Sequence, residues 1–138
     1  MSRVINIQSV GKERTQLTRS IVLALRELMR QTDTDDLTRD LAAFIALALD
    51  EIFKTIDVSV SAWEKRGYWV KADRFRMEWI WSESLSRNMR QAVLNEDWPA
   101  VALTSAQVAE KLRDVDVPKR HQLGTPWIGA WKKLQASD

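Results

Sequence analysis

Apolar residues recur along most of the chain at steps of three, four and seven, the period of one helical face. Val10, Leu17, Ile21, Ala24, Leu25 and Leu28 form the first stripe and predict a helix over roughly residues 11–30. Residues 1–10 precede it as an N-terminal arm in which Val4, Ile5 and Ile7 are apolar without periodicity. The arm is expected to lie extended against the domain or to mediate association. The polar stretch QTDTDDLTRD then stops one helix and starts the next. Thr32 or Thr34 is positioned to cap the new helix, and Asp33, Asp35 and Asp36 suit the positive end of its dipole.

The second stripe is longer. Leu37, Leu41, Ile45, Leu49, Ile52, Ile56, Val60 and Trp63 hold helical spacing with no glycine or proline before Gly67. That predicts a helix of roughly 40 Å at 1.5 Å per residue. The segment TIDVSVSAW also alternates like a strand, so residues 55–61 are the expected place for a bend. Asp50, Asp57 and Glu64 recur every seventh residue as an acidic line.

Gly67 permits a tight reversal into a third helix expected over about residues 68–95. Tyr68, Ala72, Phe75, Trp79, Ser82, Ser86, Met89 and Val93 alternate by four and three along one stripe. Trp81, Leu85 and Ala92 widen it on one side, and Val70, Met77 and Ile80 on the other. Four tryptophans and five basic side chains fall between Trp63 and Trp81. Nucleic-acid platforms place exposed aromatics along a positive groove. Here the aromatics coincide with the apolar stripe and the bases take other faces. Phe75 and Trp79 are therefore expected to be largely buried and Arg74 exposed.

A fourth helix follows NEDWPA, where Asn95 or Asp97 can cap and Pro99 suits a first turn. Val101, Leu103, Val108 and Leu112 mark it, with a break expected near LTSAQ. Over ten residues LTSAQVAEKL resembles the first helix of helix-turn-helix DNA readers. The resemblance implies a recognition helix next, but Gly124, Pro126 and Gly129 interrupt that stretch. Residues 118–126 read as a loop carrying Lys119, Arg120 and His121. Residues 127–135 read as a short C-terminal helix with Trp127 and Trp131 one turn apart. The tail has three readings: it docks on its own bundle, it binds a partner, or its tryptophans enter a membrane interface. So few residues make a marginal helix alone, so the tail must pack on something.

Composition narrows the picture. A chain of 138 residues is sized for one domain with one core. Four glycines and three prolines are too few for the turns of an all-β fold. The expected fold is all-α: a single domain, 1–138, forming an antiparallel up-down bundle of about four long helices plus the short one. There is no cysteine, which excludes disulfides, thiolate metal sites and a thiol nucleophile, and fits a cytoplasmic setting. No apolar run reaches the length of a transmembrane segment.

Charge is uneven. Residues 1–31 hold six basic and two acidic side chains, 32–60 two and seven, and 61–90 seven and four. Opposite charges on neighbouring helices can pair with each other, or the basic faces can meet an acidic partner. Candidate chemistry is sparse. The one histidine, His121, cannot furnish a di-iron bundle. Leu37 and Thr38 stand where a calcium loop wants a ligand and a glycine. No nucleotide-binding or hydrolase motif is present. No cofactor, metal site or enzymatic activity is expected. The expected role is a non-catalytic helical protein-interaction or assembly module, self-associating or part of a larger assembly. Lys119, Arg120, His121, Trp127 and Trp131 are its candidate partner-binding residues. The alternative is nucleic-acid binding through Arg and Lys of the first and third helices or through 119–133.

Overall fold

The computed structural model describes residues 7–137, and these are all-helical, with no strand among them. Six helices follow in order: α1 (Ile7–Met29), α2 (Asp36–Lys65), α3 (Trp69–Trp79), α4 (Trp81–Leu94), α5 (Trp98–Lys111) and α6 (Ala130–Ala136). The arm residues Val4 and Ile5 lie outside the described residues. Residues 7–10, expected in that arm, are helical and extend α1.

α2 is the axis of the molecule, touching α1, α3, α4 and α6. Leu41, Ile45, Leu49, Ile52 and Ile56 are all buried along it. They meet Ile21, Ala24 and Leu25 of α1, Met89 and Val93 of α4, and Leu134 of α6 in one core. Small side chains let α4 approach closely, and the buried Ser86 hydroxyl donates to the Ala46 carbonyl at 3.0 Å. α1 folds back on α2, and Arg14 spans the pair at the far end from their connection. Its guanidinium donates to Thr55 Oγ1, the Thr55 carbonyl and Ser59 Oγ. The β-branched segment 55–61 does not interrupt α2.

The helix ends follow local chemistry. Asp35, not Thr32 or Thr34, caps α2 by accepting the Thr38 amide at 3.1 Å. The Thr38 amide and hydroxyl favour the charged Asp35 carboxylate and hold it below its ordinary range. A carboxylate depressed by folding stabilises the fold above its unfolded pKa, and that contribution is lost as pH falls through the folded value. Asp35→Ala should therefore lower the melting temperature at pH 7, and the deficit should shrink below about pH 4. Melts followed by circular dichroism across that range check this.

α2 ends in a Schellman motif, with Gly67 at φ 84° and the Tyr68 amide donating to the Trp63 carbonyl at 2.9 Å. α4 ends the same way, but Glu96 takes the left-handed position at φ 49°. Its carboxylate accepts Arg39 Nε at 2.7 Å, which ties this turn to the start of α2. Asp97 caps α5 by accepting the Ala100 amide. α5 is unbroken through LTSAQ, because Thr104 and Ser105 are buried in its interior rather than capping a fresh start.

The expected third helix is two helices, with the break at Ile80. Ser82 donates its hydroxyl to the Trp79 carbonyl at 2.7 Å, and Ser84 to the Trp81 carbonyl at 3.2 Å. Such bonds compete with the helical ladder for carbonyls, and these two flank the break. Trp79 and Trp81 then stack at 5.8 Å, although residues two apart on a continuous helix do not face each other.

Candidate interaction surface

The break leaves α3 as an 11-residue helix supported on one side only. Ala72 is its only buried residue, and Phe75 and Trp79 are half-buried beside it. Phe75 packs edge-on against Trp63 at 4.9 Å, and the Arg14 guanidinium lies over its ring at 4.8 Å. Burial lowers the pKa of that guanidinium. Phe75 and Trp79 thus pack against the core without being fully enclosed, and Arg74 is exposed as expected.

Among the described residues, nothing covers the opposite side of α3. Trp69 is 61% exposed and Met77 72% exposed, with Tyr68, Val70 and Ile80 exposed beside them. Trp69, Val70 and Met77 fall within about 100° of helical arc, away from Ala72. Together with Tyr68 and Ile80 they form a largely apolar ridge, interrupted by the exposed Asp73 between Trp69 and Met77. Large apolar side chains grouped on one exposed face mark an interaction site more often than a scattered exposed leucine does. At its foot lies an open cleft of about 770 Å³ lined by Trp63, Tyr68, Trp69, Lys71, Arg74 and Phe75. Lys71 Nζ sits 4.6 Å from the Trp63 ring centroid.

The charge around this ridge is unbalanced. Arg76 pairs with Glu64 at 3.4 Å and Asp73 at 3.1 Å. Among the described residues, Lys65, Arg66, Lys71 and Arg74 form no ion pair, and Glu78 is the one acid beside the cleft left unpaired. Of the acidic line on α2, Asp50 pairs with Lys54 and Glu64 with Arg76, while Asp57 is exposed.

The candidate residues of the tail divide into two groups. Lys119, Arg120 and His121 are exposed in a segment without regular structure. Trp127 is 7% exposed and meets Phe44 edge-on at 6.5 Å. Trp131 is half-buried against the same core. The helix begins at Ala130 rather than at residue 127, after a turn in which Gly129 adopts φ 83°. Asp40 of α2 reaches across, and its carboxylate accepts the Gly129 amide at 3.1 Å and the Trp131 amide at 2.9 Å. The structure therefore separates the basic loop from the two tryptophans, which pack on the domain's own core.

Sequence reasoning missed Tyr68 and Trp69 as surface residues. The signal was present. The stripe through Ala72, Phe75 and Trp79 cannot also bury Trp69, Val70, Met77 and Ile80, which lie on other faces.

Among the described residues, no three His, Cys, Asp or Glu side chains converge to hold a metal. None of the described helices is long and apolar enough to cross a membrane. No protein-family model, curated protein or solved structure matches the chain.

Proposed function

We propose that the chain is a non-catalytic helical interaction module whose working surface is the α3 ridge. One observation carries the reading: Trp69, Val70, Met77 and Ile80 stand exposed on a helix that the rest of the domain holds by one edge. Aromatic and methionine side chains are the residues that concentrate at protein interfaces. The lack of cysteine fits work in the reducing cytoplasm.

A photo-crosslinking residue placed at position 69 in the native host tests it. Adducts to protein are expected there, with few or none from the equally exposed position 128. No adduct at 69 above that at 128 contradicts the proposal.

A second reading is favoured by one feature of the same surface. Tyr68 and Trp69 are exposed among the unpaired Lys65, Arg66, Lys71 and Arg74, an arrangement on which bases of a single strand can stack. Binding to an oligonucleotide would then fall steeply with salt, because phosphate contacts release counterions. Adducts to nucleic acid at position 69 would support this reading over the first.

A further inference from the structure

The ridge has a complementary feature at the other end of the molecule. α1 and α5 barely touch. Between them lies a groove of about 650 Å³, walled by Leu25, Leu28 and Met29 on one side and Trp98, Ala102 and Ala106 on the other. Met29 is 81% exposed at its rim. The alanines on α5 leave room for another helix's side chains. Ser105 also lines the groove; its hydroxyl is buried and is the one such side-chain atom without a hydrogen-bond partner among the described residues.

The groove's surroundings are acidic. Asp33 lies on its wall, and Asp35 and Asp97 flank it at the starts of α2 and α5. None of these three carboxylates has an ion-pair partner among the described residues, because Arg30 is taken by Glu27, and Arg39 by Asp36 and Glu96. One end of the domain thus presents an apolar groove with an acidic border. The other presents an apolar ridge bordered by four unpaired cations. Both are apolar, and their borders carry charge of opposite sign.

A chain cannot satisfy this match by itself. The groove lies at the start of α2 and the ridge just past its end, 30 residues apart along one helix. That is about 40 Å. We propose that the occupant of the groove is the α3 ridge of a second copy of this chain, in a head-to-tail contact. Because the two surfaces differ, each copy keeps one free end, and the assembly grows beyond a dimer unless its rotation closes a ring. This inference rests on the ridge being an interaction surface and adds the identity of what it meets.

Sedimentation velocity on the full chain and two variants tests it. Trp69→Asp spoils the ridge and sets an acid against the groove's acids. Ala106→Arg fills the groove and sets a cation against the ridge's cations. Both positions are exposed, so both variants should fold, which circular dichroism verifies. The wild type should sediment faster with rising concentration and pass beyond dimer or form a ring. Each variant alone should remain monomeric. Mixed, they should form a one-to-one dimer and nothing larger, because one retains a groove and the other a ridge. A mixture that stays monomeric overturns the proposal. So does a wild-type dimer lost in Trp69→Asp but intact in Ala106→Arg, which would place ridge against ridge. A wild type that is monomeric at every concentration overturns the second-copy occupant alone. The interaction-module reading would then stand or fall on crosslinking at position 69, where an acidic foreign protein, a nucleic acid or a lipid surface would appear instead.

Discussion

Leu49→Ala should destabilise the domain by about 2–5 kcal/mol, the range for an emptied aliphatic core site. Leu49 is fully buried on α2, the helix against which α1, α3, α4 and α6 pack. Removing its side chain opens a cavity where several helices meet, and a rigid core relaxes only partly to fill it. Domains of this kind are stable by about 5–15 kcal/mol, so the loss would be a large share of the whole. Urea unfolding should show a lower midpoint at an unchanged slope. The same substitution at Leu103, which is exposed on α5, should change stability by less than about 0.5 kcal/mol.

Trp127→Ala should cost about 3–5 kcal/mol, as for other emptied aromatic core sites. The indole fills the gap between the tail and α2 and meets the Phe44 ring edge-on. Asp40 then holds the start of α6 through two backbone amides. With Trp127 gone, seven helical residues are too few to persist by themselves. The expected result is a cooperative loss of α6 and a lower melting temperature. Paired with Phe44→Leu, the two effects should be non-additive, because the side chains touch. A tail that served only a foreign partner would leave the melting temperature of Trp127→Ala unchanged.

The helical period was legible wherever a helix buries a full stripe. α2 was read to within a residue or two, because Leu41 to Val60 face neighbours on several sides and leave little ambiguity. Gly67 marked its reversal through the left-handed backbone the turn needs. The tail was legible too, since Trp127 and Leu134 are too apolar to remain in water. The break at Ile80 was not. Ser82, whose hydroxyl turns onto the Trp79 carbonyl beside the break, also fits a continuous stripe of small residues. Because the break was hidden, Val70, Met77 and Ile80 read as the margin of a core instead of an exposed face. The groove was equally invisible, for it depends on how far α1 and α5 stand apart. Periodicity within each helix carries no information on that distance. The charge asymmetry was visible as acidic and basic blocks. Which of those charges pair within the domain and which remain free is decided by the packing.

The central claim is that α3 is a surface waiting for an occupant. Hydrogen exchange measured in dilute and in concentrated solution tests it most directly. In dilute solution the amides of residues 69–79 should exchange faster than those of α2, because the helix is short and held by one edge. As concentration rises, protection should increase in α3 and along the groove-facing parts of α1 and α5, and elsewhere remain constant. Exchange in α3 that is as slow as in α2 at every concentration, or unaffected while another surface becomes protected, would contradict the account.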